Sequence, residues 1–342
     1  MSRVAVALIG AASLVAVSAC AAPTVGSRPW AAATVLAAPV DLPDDPAALT
    51  LLTRAARSAL TASYDAVIVS TSPDSPAPVR LAIAHRPGIG TSSAPEDGSR
   101  PAQLTPDDAV GTALPVSLRL LDVLVAHFGL EIAGQGEVLS RPADVVEATD
   151  ARGVVEARFW LDRTSGLMVK RELIDPTTGA TRATEFVSLT VPAKSELRAA
   201  TTQVPAAGPA LDAVAVARLR SEGWICPEGL PGGLSFVSAD EADAGAVHLV
   251  YSDGLDVVSL FVQKGHLDTE GMPGLQSVSG QAGQAGQAGQ AGQAGQAGQV
   301  LHTDTPVPTW VWQSSGSVVT LMTEAPRTTV ERIISAVPPD SA

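Results

Sequence analysis

The sequence predicts an α+β protein of two β-rich domains with flanking helices, and three observations carry the prediction. Short runs of alternating apolar and polar residues, rich in Val, Ile, Thr and aromatic side chains, recur through 64–85, 143–191 and 246–323. Segments whose apolar residues return every three or four positions open each of the two regions. Between the regions, residues 192–208 show no period and carry Pro192 and Pro205, as a linker does. The chain has 342 residues, 46% of them hydrophobic, enough for two cores of ordinary domain size.

Residues 1–20 read as an export signal. Arg3 supplies a positive start, and Val4 to Ala19 carry no charge. That run is shorter than the roughly 20 residues a spanning helix needs. Val17-Ser18-Ala19-Cys20 resembles a bacterial lipobox, in which cleavage precedes Cys20 and its thiol is lipidated. Ordinary signal cleavage nearby and an uncleaved anchor stay open. Residues 21–43, rich in Ala and Pro, read as a tether.

Asp44-Asp45-Pro46 is a helix start, and Leu49, Leu52, Ala56, Ala59 and Leu60 give an amphipathic helix to about Ala62. Strands follow at Tyr64–Ser70 and Val79–His85. Residues 87–113, rich in Gly, Pro, Ser and Asp, read as a long loop. Pro115 opens a second helix with Leu118, Leu121, Val125 and Phe128 as its stripe and Gly129 as its stop. Antiparallel strands are expected at 143–149, 154–162, 167–174 and 182–191. In the clearest hairpin, Ala157, Phe159 and Leu161 share one face, and Asp162 to Gly166 make the turn. After the linker come a helix at 209–222, strands at 246–252, 255–263, 307–313 and 317–323, and a last helix at about 326–337. Residues 280–299 are a Gly-Gln-Ala repeat, neutral and polar, read as an expanded loop inside the second domain.

The net charge of −13 comes with no basic block, which argues against a nucleic-acid partner and against adsorption to anionic lipid. No GxSxG elbow, HExxH or P-loop occurs, and no paired Cys or His has metal-ligand spacing. The chain is therefore expected to be no enzyme and to need no metal or cofactor. Cys226 is expected to be a small buried hydrophobe, since Cys20 is the only other cysteine.

Two stretches resemble the MucB/RseB family of sigma-factor regulatory proteins. One is Glu156-Ala157-Arg158-Phe159-Trp160-Leu161-Asp162-Arg163-Thr164-Ser165-Gly166-Leu167, and similar hairpins occur in LolA-like lipoprotein carriers. The other, His248-Leu249-Val250-Tyr251-Ser252-Asp253-Gly254-Leu255-Asp256-Val257-Val258-Ser259-Leu260-Phe261-Val262, looks like the signature of the family's C-terminal domain, which carriers lack. The resemblance implies a half-open antiparallel β-barrel covered by helices over 44–191, and a smaller β-rich domain over 209–338. It implies a negative regulator in the cell envelope, periplasmic or lipid-anchored to the outer face of the cytoplasmic membrane. Such a regulator binds the outer domain of a membrane anti-sigma factor, shields it from proteolysis, and lets go when a hydrophobic stress ligand, an acyl chain or lipoprotein, binds. Lipid or lipoprotein carriage is the alternative.

Candidate cleft residues for that ligand are Val67, Val69, Leu81, Ile83, Phe159 and Leu161, with a closed core as the competing use. Candidate partner contacts are Tyr251, Ser252, Asp253 and Leu255. Asp253-Gly254 also suits a two-residue hairpin turn needed for folding alone.

Overall fold

The computed structural model describes residues 3–6, 15–17, 45–73, 77–99, 102–105, 117–191, 210–242, 245–268, 276–277, 300–303 and 308–340. Cys20, the expected tether, the expected linker and the Gly-Gln-Ala repeat lie outside them. By its contacts the chain divides into two units. One holds Val35–Ala206 and Asp253–Leu255; the other holds Met1–Thr34, Ala207–Ser252 and Asp256–Ala342. Within the expected export signal, β1 (Arg3–Val6) and β2 (Val15–Val17) pair antiparallel. Among the described residues no helix is long and apolar enough to cross a membrane.

In the unit built on 35–206, α1 (Pro46–Thr61) starts where sequence places it. The Asp45 carboxylate accepts from Ala47 N at 2.8 Å, and Pro46 occupies the first turn, where its missing N–H costs nothing. Its buried face is Ala48, Leu52, Ala55, Ala56 and Ala59, small enough for close approach to a sheet. That sheet has nine antiparallel strands: β3 (Tyr64–Thr71), β4 (Val79–Arg86), β5 (Gly90–Pro95), β6 (Gln103–Thr105), β7 (Gly129–Val138), β8 (Arg141–Thr149), β9 (Val155–Asp162), β10 (Met168–Ile174) and β11 (Thr181–Thr190). Their order is β6-β5-β4-β3-β11-β10-β9-β8-β7, and the two end strands do not meet. The result is a half-open barrel, and α1 touches β7, β9 and β10, strands whose curvature brings them round it.

Two segments fold otherwise than their sequence suggests. Residues 87–113 are not one loop: Gly90–Pro95 and Gln103–Thr105 are strands, paired through Ile83 with Ser93 and Ser92 with Leu104. Their Ser- and Thr-rich composition resembles a loop, but pairing with a strong neighbour overrides propensity. In α2 (Leu118–His127), which packs on α1, the buried stripe is Leu120, Leu121 and Leu124. Leu118 is 41% exposed, because Ser117 caps the helix through Leu120 N and so sets its phase.

The second unit has an eight-stranded antiparallel sheet flanked by α3 (Ala213–Ser221) and α4 (Arg327–Ala336). The strands are β12 (Gly229–Leu230), β13 (Leu234–Ala242), β14 (Ala246–Ser252), β15 (Val257–Lys264), β17 (Gln276–Ser277), β18 (Val300–Thr303), β19 (Thr309–Ser314) and β20 (Ser317–Thr323). They run in the order β12-β13-β14-β15-β20-β19-β18-β17, while β16 (His266–Asp268) pairs with β1 instead. One cross-strand row, Leu249–Leu260–Leu321–Trp310, shows how the core forms. The three leucines are fully buried, each stabilising by about 1.5–3 kcal/mol. Val330, Ile333 and Val337, from α4 and its C-terminal cap, close the cluster. The Trp312 indole N–H donates to Val337 O at 2.8 Å, so the buried ring leaves no orphan donor.

Candidate functional site

Register decides which of the cleft candidates share a surface. Ile68 pairs with Leu81 and Ala66 with Ile83, so Leu81 and Ile83 lie on the Ala66–Ile68 face of β3. Through Phe186, Thr184 and Arg171 the same face continues to Phe159 and Leu161. Val67 pairs with Ala82 and Val69 with Arg80, which puts both valines on the opposite face. The six candidates therefore do not line one cleft. Both faces of β3 are apolar at positions 66–69, so alternation alone could not tell them apart. On the shared face, Phe159, Leu161 and Ile83 are buried and Leu81 is half-buried. Ser70 and Thr184, with hydroxyls 3.0 Å apart, and Arg171 interrupt its apolar character.

The opposite face carries charge. Glu131, Glu147, Arg158 and Glu172 form a cross-strand row over β7, β8, β9 and β10. Arg158 Nε donates to Glu147 at 2.6 Å, and Lys170 pairs with Glu172 at 2.8 Å. The Lys170 ammonium also stands 4.7 Å above the Trp160 ring. Asp162, buried at the end of β9, accepts from Arg141 at 2.8 Å and from the N–H and hydroxyl of Ser165. Burial would raise its pKa, but Arg141 and Ser165 outweigh burial and hold the carboxyl below its ordinary value. Glu156 goes the other way. Burial, then the Asp150 carboxylate, raises it to about 7.

Among the partner candidates, Tyr251 is fully buried and its hydroxyl donates to Pro227 O at 2.7 Å. Ser252 is buried too, and its hydroxyl donates to Asp256 O at 2.7 Å. The Asp253 carboxylate accepts from Leu255 N at 2.9 Å. The connection from Ser252 to Val257 spans 253–256, so the expected two-residue turn is a four-residue loop, with Gly254 at φ +97. These side-chain bonds build the loop, which is the folding use that sequence left open. Cys226 is buried, and burial pushes its thiol up to about 11, out of reach of thiolate chemistry at neutral pH. Among the described residues no group of three or more His, Cys, Asp or Glu is placed to hold a metal.

A half-open barrel with helices across it, joined in one chain to a second antiparallel sheet with its own helices, defines the class of molecule. Its fold is that of MucB. The crystal structure of MucB aligns with a TM-score of 0.52 at 21% identity, over 87% of this chain and 100% of that one. The Pseudomonas aeruginosa MucA/MucB complex aligns at 0.47 and 22% identity, over 86% of this chain and 100% of that one. The Mycobacterium tuberculosis lipoprotein LppX aligns at 0.26 and 11% identity, over 44% of this chain and 98% of that one. No family model matches the sequence, and no curated protein matches it.

Proposed function

We propose that the protein is an extracytoplasmic negative regulator of a sigma factor, acting by binding the outer domain of a membrane anti-sigma factor and shielding it from proteolysis. The observation that carries this reading is a fold that aligns with MucB over 87% of this chain and 100% of that one, with a second sheet that a carrier does not need. The two motif stretches lie at structural positions, in the β9–β10 hairpin and the β14–β15 hairpin. MucB itself has been solved in complex with the periplasmic part of MucA. A hydrophobic envelope-stress ligand would release the block, and it can do so only by favouring the released state over the bound one.

The test is a pull-down of residues 21–342, the exported chain without its lipid-bearing cysteine, against solubilised membranes, with bound proteins identified by mass spectrometry. Recovery of a single-span protein whose cytoplasmic part holds a sigma factor is the expected result. Recovery of lipoproteins or lipid without such a protein would move the chain to the carrier class. Anchoring through Cys20 is tested in the same membranes: Cys20→Ala is expected to leave the membrane fraction, and its retention there would replace the lipid anchor with an uncleaved one.

A further inference from the structure

We propose that the free edge of β7 is a docking site for an extended, basic segment of a partner protein, added as one more strand. The inference stands apart from the regulatory reading above, since it rests on the edge itself.

A sheet edge is a row of unpaired backbone groups, and proteins commonly blunt it by keeping the strand short or placing Lys or Pro on it. Three of the four edges of the two large sheets follow that practice in length. β6 has 3 residues, and β12 and β17 have 2 each. β7 is the exception, with 10 residues and neither Lys nor Pro. Its Leu130 carbonyl is taken by Asp45 N, but residues 131–133, 135 and 137 beyond it are exposed, and Ile132 is 41% exposed. Among the described residues, what blunts this edge is the bulge between Ile132 and Gly134 and the two acidic side chains, Glu131 and Glu137.

Charge selects the occupant. Glu131 stands directly opposite Glu147, whose carboxylate already serves Arg158. The row thus ends on an acid beside an acid, and among the described residues Glu131 has no ionic partner. Near the other end of the strand, Glu137 too has no ionic partner among the described residues. A strand bringing Lys or Arg opposite these positions would complete the alternation. A second copy of β7 would not, since it brings the same two acids and no Lys or Arg to face them. On the Glu131 face, Gly134 and Gly136 leave the strand bare and the half-buried Trp160 indole extends to Gly136, while Glu137, opposite Pro142, lies on the other face. An apolar side chain of the added strand would cover that ring, the mode by which edge addition gains sequence preference.

The experiment measures fluorescence anisotropy of a labelled peptide of alternating Thr and Val with Lys at each end, titrated with the full mature chain. A matched peptide with Glu at each end is the control. The Lys-ended peptide is expected to bind at least about tenfold tighter, with affinity falling as salt rises. A Glu131→Lys, Glu137→Lys double variant is expected to reverse that preference, which a merely misfolded variant would not do. Hydrogen exchange should slow at residues 131–137 on binding. Equal affinity for both peptides, an unchanged preference in the double variant, or protection elsewhere would overturn the proposal. So would a dimer of the chain alone that the same substitutions dissolve, since the edge would then belong to a second copy.

Discussion

The Trp160 indole lies across Gly136, close enough that a Cβ added to the glycine would stand 2.8 Å from Nε1 and 3.0 Å from Cδ1. The ring reaches over β8 to lie on the neighbouring strand, which only a residue without a side chain permits. Gly136→Ala is therefore expected to push the indole off its seat and destabilise the half-barrel by about 1–3 kcal/mol, as overpacking does. Urea unfolding of the variant measures the loss. A Gly136→Ala, Trp160→Phe pair should recover part of it, and no recovery would show that the clash lies elsewhere.

Glu156 should make stability fall as pH rises. Its folded pKa of about 7 lies above the ordinary 4.5, so the folded chain holds a proton that the unfolded chain has lost between those values. The favourable term is fully present below 4.5 and is gone above 7. Its size is on the order of 1–3 kcal/mol, since some solvent still reaches the side chain. Glu156→Gln should flatten the unfolding free energy across that window and leave the variant more stable than the parent above it. Parallel pH profiles for the two proteins would refute this account.

Asp162 acts with the opposite sign. Its folded pKa is depressed, so its contribution is present above the ordinary carboxylate range and is lost as pH falls through the lowered value. Asp162→Ala strips Arg141 and Ser165 of their shared acceptor at once. Breaking a buried pair typically costs about 3–5 kcal/mol, and the partly exposed Arg141 places this case at the lower end. Thermal unfolding at pH 7 should show the loss, and at strongly acid pH the variant and parent should converge.

The β9–β10 hairpin was readable because Gly166 supplies the positive φ of its turn and Ala157, Phe159 and Leu161 alternate cleanly. The start of α1 was readable from Asp45-Pro46. β5, reading GTSSAP, was not, since its strand character comes from β4 rather than from its own residues. β7 and β13 also escaped notice; in both, a bulge breaks the alternation that marks a strand. The candidate cleft failed differently. Alternation says which residues of one strand share a face, but only register says which face of the next strand they meet, and Val67 and Val69 fell on the wrong side. The Trp160–Gly136 contact joins residues on strands that are not neighbours, and no local pattern reports it.

Tyr251, which sequence offered as a partner contact, is buried by the fold. Its hydroxyl donates to Pro227 O, and burial raises the phenol well above its ordinary pKa, so it stays protonated and keeps donating throughout the working pH range. Tyr251→Phe keeps the ring's packing against Phe236, whose centroid is 5.8 Å away, and removes only the donor. The Pro227 carbonyl is then left without that partner in a buried setting, at a cost of about 1–3 kcal/mol. Because the loss falls on the fold rather than on a surface, partner affinity per folded molecule should not change. Denaturant unfolding and a binding titration on the same variant separate the two effects. Weaker binding at unchanged stability would return Tyr251 to the partner interface.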